Sequence, residues 1–380
     1  MTPGARISAA IEVLDRVLAG QPAEQALLRW SRASRFAGSG DRAAVRDLVF
    51  DALRCRNSHA ALGGALTGRG LMIGGLRAAG RDPAALFTGQ GHAPEPLAEG
   101  EGAGPAHGVS DIPDWLGPLW NGSLGEDAGA VAAAMRRRAP VWLRVNTRKA
   151  TPAKALRALA DDGIAATPDP RLETALRVTE NERRLAQGRA YRDGLVELQD
   201  LSPQLACAAL PVAPGMRVLD YCAGGGGKTL AVAARAADLT LVAHDADPAR
   251  MRDLPQRAAR AGVQVRLDAD PAGRFDLVIV DAPCSGSGTW RRTPDSKWRL
   301  TEAALRDLVA LQAGILRKAA RHVPPGGLMA YMTCSVLDPE NDGQAAAFLR
   351  DHPGFSRVSR RLWTPLDAGD GFFMSLLARR

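Results

Sequence analysis

The chain has 380 residues, 46% of them hydrophobic, and carries 49 Lys and Arg against 41 Asp and Glu, a formal net charge of +8. The length exceeds one average domain, the apolar share suits a globular protein with a real core, and the basic surplus favours a polyanionic partner. Five cysteines with no C-x-x-C pair argue against a disulfide framework or a metal site, and the absence of a long apolar run or leader-like start predicts a cytoplasmic protein with no membrane partner; a monomer is expected.

In chain order, Ile7, Ala10, Ile11, Leu14, Val17 and Leu18 recur at helical spacing, and Ala26, Leu27, Leu28 and Trp30 suggest a second helix. Asp41 is the expected N-cap of a third, in which Val45, Leu48, Val49 and Leu53 alternate with Arg42, Arg46 and Arg54. Residues 1–75 therefore read as an all-α N-terminal bundle with a basic face. Residues 76–112, rich in Gly, Ala, Pro and Glu between Thr88 and Gly108, read as a linker or mobile loop. Over 113–185, a helix from Asp114, a strand at Val141–Val145, and a helix followed by short strands across 152–180 predict a small α+β subdomain.

Residues 186–380 change pattern. Strands at Met216–Asp220, Leu239–His244, Val263–Leu267, Phe275–Asp281 and Gly327–Thr333 alternate with helices at Thr229–Ala237, Pro248–Ala261 and Glu302–His322. That alternation predicts an α/β fold with a doubly wound, mostly parallel sheet. Ligands of such sheets bind outside the carboxyl ends of the strands.

The run Asp220-Tyr221-Cys222-Ala223-Gly224-Gly225-Gly226-Gly227-Lys228-Thr229 leaves the first of these strands and opens a helix. Its glycines admit a ligand close to the backbone, and the helix start offers free N–H groups. A P-loop, G-x-x-x-x-G-K-[ST], would fit except that Cys222 stands at the first glycine position; Asp281 would then imitate a metal-binding aspartate. The pocket of a Rossmann-like class I methyltransferase fits better. There the loop from Cys222 to Lys228 wraps S-adenosylmethionine, Asp245 after the second strand grips the ribose, and Asp268 after the third meets the adenine. Arg250 and Asp281 complete the expected lining. A P-loop enzyme explains neither Asp245 nor two cysteines at strand ends.

Those cysteines are Cys284, in Asp281-Ala282-Pro283-Cys284-Ser285-Gly286, and Cys334, in Met332-Thr333-Cys334-Ser335. Cys55, Cys207 and Cys222 read as small buried hydrophobes. A thiolate beside a methyl donor suits carbon 5 of cytosine. Addition at carbon 6 breaks the ring's conjugation and makes carbon 5 nucleophilic, and elimination follows loss of the carbon 5 proton. The thiol must ionise more readily than a free one, whose pKa is about 8.5. Lys228 supplies positive charge, and Asp281 a hydrogen bond to the base. The target base must be unstacked, and Arg291, Arg292, Lys297 and Arg299, interleaved with Trp290 and Trp298, read as a basic aromatic loop for phosphate contacts and stacking.

The blocks Asp220 to Thr229, Asp281 to Gly288, and Tyr331 to Ser335 with Glu340-Asn341 resemble the signature motifs of the Sun-type (Nop/Sun) RNA cytosine-5 methyltransferases. Arg144-Val145-Asn146, Gln199-Asp200, Arg291 to Asp295 with Trp298, and Asp370-Gly371-Phe372-Phe373 add to the likeness, which runs from about Asp114 to the C-terminus. Ser39-Gly40-Asp41-Arg42 with Val45 to Val49 resembles the NusB-like RNA-binding domain of the bacterial ribosomal RNA branch. The resemblance implies methyl transfer from S-adenosylmethionine to a cytosine of small-subunit ribosomal RNA, with Cys334 as nucleophile and Cys284 assisting release. Gly224 and Gly225 stand where that family usually has Ala and Pro, which gives the loop extra backbone freedom of about 1 kcal/mol.

Overall fold

The computed structural model describes residues 1–102, 109–367 and 369–380; residues 103–108 of the expected linker lie outside them. Two compact units divide the chain: Met1–Pro118 with Glu126–Arg138 and Trp290–Leu300, and Leu119–Gly125 with Ala139–Thr289 and Thr301–Arg380.

The first unit is built on α1 (Pro3–Leu18), α2 (Ala23–Ala33), α3 (Ser39–Arg54), α4 (Arg56–Gly63) and α5 (Gly68–Ala78). The helical repeat of the sequence becomes its core, with Val13, Leu14, Val45, Val49, Leu71 and Ile73 packed together. Asp41 is not an N-cap. The helix starts two residues earlier after Gly38, and Asp41 reaches back from the third helical position to the Gly38 N–H at 3.3 Å while pairing with Arg6 and the N-terminal amine. The segment read as a mobile linker is tied down where it is described. Phe87 is buried, Glu101 pairs with Arg69 at 2.6 Å, and Asp111 accepts the N–H groups of Asn57 and Ser58 at the start of α4.

The expected basic aromatic loop is corrected in the same way. Residues Pro294–Arg299 form a short helix of the first unit. Lys297 is 1% exposed, its ammonium donates to the Arg54 carbonyl at 3.1 Å, and the Trp298 indole donates to the Leu53 carbonyl at 2.7 Å. Arg291 is buried too, and its carbonyl accepts from Arg54 at 2.7 Å. Helices end with carbonyls that lack partners, and α3 ends at Arg54, so the Lys297 and Trp298 side chains cap α3. Burial pulls the Lys297 amine down to about 8. Arg292 and Arg299 retain solvent exposure.

Next in the chain come α6 (Gly117–Leu124), α7 (Ala128–Met135), β1 (Val141–Val145), α8 (Pro152–Asp161), β2 (Ala165–Asp169), β3 (Leu172–Glu180), α9 (Arg189–Arg192) and β4 (Val196–Leu198). The strands form an antiparallel sheet in the order β2-β3-β1-β4. Because β4 pairs with β1, this sheet extends past residue 185, where the sequence suggests a boundary.

The rest of the second unit holds α10 (Leu201–Ala208), β5 (Arg217–Asp220), α11 (Gly227–Ala233), β6 (Thr240–Ala243), α12 (Leu254–Ala261), β7 (Arg266–Leu267) and β8 (Leu277–Asp281). Then follow α13, the short helix Pro294–Arg299 already placed, α14 (Glu302–Ala319), β9 (Leu328–Thr333), α15 (Asp342–Asp351), β10 (Phe355–Trp363) and β11 (Phe372–Arg379). A seven-stranded sheet runs β10-β11-β9-β8-β5-β6-β7, parallel from β9 to β7 and antiparallel at β11 and β10. Both faces of β8 are covered. Val278 and Val280 pack with Leu316 and Phe348 of α14 and α15, and Leu277 and Ile279 with Ala206 and Val232 of α10 and α11. A continuous apolar run is what such a strand requires. Chain order reverses between β5 and β8, which opens a crevice at their carboxyl ends. Among the described residues no helix is long and apolar enough to cross a membrane.

Helices α4 and α5 pack by backbone approach: a Cβ on Gly74 would lie 1.9 Å from the His59 carbonyl oxygen, whereas one on Gly40 meets nothing within 4 Å. Thermal or denaturant unfolding should therefore show Gly74→Ala costing about 2 kcal/mol through overpacking, and Gly40→Ala neutral or stabilising by about 0.5 kcal/mol.

Candidate active site

The glycine loop joins β5 to α11, and its backbone is tied at successive residues. Ala223 N–H donates to the His244 carbonyl at 2.8 Å and Gly226 N–H to the Ala223 carbonyl at 2.8 Å. Gly224 N–H donates to the Asp245 carboxylate at 3.0 Å, and the Gly225 carbonyl accepts from Arg257. Gly226 has φ +79° and a Cβ there would strike Leu254 Cδ1 at 2.1 Å, so glycine is needed. Gly224 has φ +48°, a left-handed conformation in which Ala would be strained. The freedom expected from Gly224-Gly225 is thus opposed by contacts on both sides of the pair.

Asp220, at the end of β5, accepts Thr229 N–H and Oγ through one oxygen; the other is buried with no partner. Burial lifts its carboxyl to about 6. Asp245 is buried after β6, takes the N–H groups of Gly224 and Asp247, and faces Arg250 at 3.4 Å. Asp268 follows β7 and pairs with Arg266 at 3.1 Å. Cys222 packs beside the core, and burial raises its thiol.

Strands β8 and β9 are parallel neighbours with Asp281 opposite Met332. Their exits therefore lie side by side, and Cys284 Sγ stands 3.3 Å from Cys334 Sγ. The pair shares a proton unequally. The hydrogen bond from Cys284 lowers Cys334, while the same bond and burial raise Cys284 well above the ordinary thiol range. The contact thus favours ionisation of Cys334 over that of Cys284. Lys228, from the first turn of α11, pairs with Asp281 and adds positive charge near Cys334. Burial opposes the Lys228 charge, but the Asp281 carboxylate outweighs it and raises the amine.

Sequence reasoning assigns no role to the group that holds the two loops together. Glu340, 0% exposed, accepts from Ser285 N–H at 2.8 Å, Ser285 Oγ at 2.5 Å, Ser335 Oγ at 2.6 Å and Gln312 Nε2 at 3.1 Å. Ser285 and Ser335 each follow one of the cysteines. Asn341 reinforces this by accepting from Thr333 Oγ1 at 2.5 Å and donating to the Ser335 carbonyl at 2.9 Å. The run Asp338 to Asp342 reads as a polar turn, and only the folded contacts reveal that its Glu340 and Asn341 point inward. Gly371 closes the site from the C-terminal side. Its N–H donates to the Gly288 carbonyl at 2.9 Å, and a Cβ on Gly371 would lie 2.6 Å from Gly288 Cα.

The structure therefore gathers Lys228, Asp281, Cys284 and Cys334 at adjacent strand ends, and Cys222 to Gly227, Asp245, Arg250 and Asp268 along the neighbouring loops. Arg291, Lys297 and Trp298 belong to the helical unit. Among the described residues no group of three or more His, Cys, Asp or Glu is placed to hold a metal ion.

Two protein-family models match this chain: 16S rRNA methyltransferase RsmB/F over residues 207–377, and the RsmF/B-like ferredoxin-like domain over residues 112–183, which holds strands β1 to β3 of the antiparallel sheet. The ribosomal RNA small subunit methyltransferase B of Xanthomonas campestris is 36% identical over 249 residues, covering 63% of this chain and 57% of its own length. Its namesake from Xylella fastidiosa is 34% identical over 291 residues, covering 70% and 67%. This chain thus spans between just over half and two thirds of these curated relatives. A solved methyltransferase homolog protein from Pyrococcus horikoshii is 25% identical with a TM-score of 0.61, covering 72% of this chain and 96% of that one.

Replacing Glu340 with Ala leaves four donors without their acceptor, which should cost about 3 kcal/mol or more. Glu340→Gln keeps an acceptor oxygen and should cost clearly less. Denaturant unfolding checks the order, and equal losses in the two variants would show that the acceptor oxygens do not matter.

Proposed function

The chain belongs to the RsmB/F family of 16S rRNA methyltransferases, and from that premise we propose that it methylates carbon 5 of a cytosine in small-subunit ribosomal RNA, with S-adenosylmethionine as donor. The observation that carries the reading is the 3.3 Å contact between Cys284 and Cys334 beside a glycine loop.

The loop suits the cofactor. Its glycines leave the backbone bare at Gly224, where a Cβ would meet only Arg250, at 3.7 Å. Asp245, tied to the loop through the Gly224 N–H, offers an acceptor to ribose hydroxyls. Asp268 and Arg250 flank that side. When bound, S-adenosylmethionine supplies a sulfonium methyl group that an activated carbon 5 can accept.

Cys334, ionised with help from the Cys284 thiol, adds to carbon 6 of the cytosine, forming the C–S bond as the ring's 5,6 double bond opens. Asp281 accepts a hydrogen bond from the base edge, and Lys228 holds Asp281 and the thiolate in place. After methylation the carbon 5 proton must leave for the C–S bond to break, and Cys284 assists that elimination from its position against Cys334. The helical region 1–75, with ten arginines against six acidic residues, offers positive charge to the RNA backbone.

With labelled S-adenosylmethionine and small-subunit RNA from a strain lacking the gene, wild type should yield 5-methylcytosine and Cys334→Ala none, a fall of at least about 1,000-fold for loss of a nucleophile. Cys284→Ala should accumulate a protein–RNA adduct that survives a denaturing gel. Normal transfer by Cys334→Ala would refute the assignment.

A further inference from the structure

A cavity of about 270 Å³ lies between the antiparallel sheet and helices α10 and α11, and none of the chemistry above uses it. Arg144 of β1 lines it. The residue is 6% exposed, yet it forms no ion pair with any of the described residues. Its Nε donates to Gln199 Oε1 at 2.7 Å, and its two terminal nitrogens have no hydrogen-bond partner among the described residues. Those nitrogens are not sealed in protein either, so the cavity is where they point.

Glu197 favours this charge without pairing with it. Glu197, opposite Arg144 in the sheet, is taken by Arg257 at 3.1 Å and Arg260 at 2.8 Å. Cys207, on the cavity wall, is pushed up to about 12 by burial and stays neutral. Burial lowers Arg144 itself. A charged group held out of water is costly unless it is paired and hydrogen-bonded. At the rim, the exposed Arg235 adds a second guanidinium, with one nitrogen tied to the Cys207 and Leu210 carbonyls, and Thr174 adds a hydroxyl.

We propose that this cavity is an oxyanion site that takes a phosphate group, with Arg144 at its base and Arg235 and Thr174 at its mouth. Gln199 links it to the glycine loop. It accepts from Arg144 and donates through Nε2 to the carbonyl of Gly227, the first residue of α11, at 3.2 Å. A phosphate fixing Arg144 therefore also fixes the contact that steadies the start of α11. The phosphate is either one of the RNA backbone, which rests on the function proposed above, or a free phosphate, which does not.

The test uses inorganic phosphate as probe. Wild type should melt at higher temperature as phosphate rises, saturably, relative to chloride at matched ionic strength. Arg144→Met should lose that rise while melting no lower than wild type without phosphate, since it deletes an unpaired buried charge. Ala208→Leu, which fills the cavity and leaves Arg144 intact, should also lose the rise, and it decides the matter if Arg144→Met fails to fold. No saturable rise in wild type, or an equal rise in both variants, overturns the proposal. Anisotropy with a single-stranded RNA oligomer separates the sources. If RNA supplies the phosphate, the slope of log K against log salt should be shallower by about 0.7 in Arg144→Met, and an unchanged slope with phosphate binding intact assigns the site to free phosphate. Failure of wild type to methylate RNA would strike the proposed function and leave the phosphate result standing.

Discussion

The site depends on the register of one pair of strands. Asp281 of β8 lies opposite Met332 of β9, so the chain leaves the sheet at the same level twice. A one-residue slip in either strand would turn every side chain to the other face. Because both faces of β8 are buried against helices, that slip would be expensive, and the register is held by the whole core. Two sulfurs reach 3.3 Å from each other as a result, and Glu340 then ties the residues that follow them.

Charge decides what the two sulfurs can do. Glu340 and Asp281 oppose thiolate formation at Cys334, while Lys228 and the hydrogen bond from Cys284 favour it. Burial also opposes it, so the hydrogen bond from Cys284 is the largest favourable influence on that sulfur. The proposed roles of Cys334 as nucleophile and Cys284 as proton holder both rest on that one contact. Asp281 serves the thiols indirectly by keeping the half-buried Lys228 charged.

Much of this was legible in the sequence because it is local. The glycine run, the apolar strands and the two cysteines past strand ends each carry their signal within a few residues, and the predicted parallel strands lie where expected except the third, expected over Val263–Leu267 and observed only at Arg266–Leu267. What escaped depends on distant partners. Lys297 reads as part of a basic aromatic loop for phosphate contacts until its ammonium is found on the Arg54 carbonyl at the end of α3. Glu340 sits in a run of turn formers and becomes a buried clamp only when both cysteine loops arrive. Arg357, Arg360 and Arg361 mask the edge strand β10, whose partner β11 supplies the buried Phe372 to Leu377. The end of the antiparallel sheet was missed because β4 is three residues long and is defined by its pairing with β1.

The unequal sharing of a proton between the two thiols is tested most directly by the pH dependence of alkylation, with each cysteine followed by mass spectrometry. In wild type, Cys334 should be alkylated at lower pH than a free thiol and before Cys284. In Cys284→Ala its midpoint should move up, because the donor is gone. Faster alkylation of Cys284, or a Cys334 midpoint unmoved by Cys284→Ala, would contradict the account.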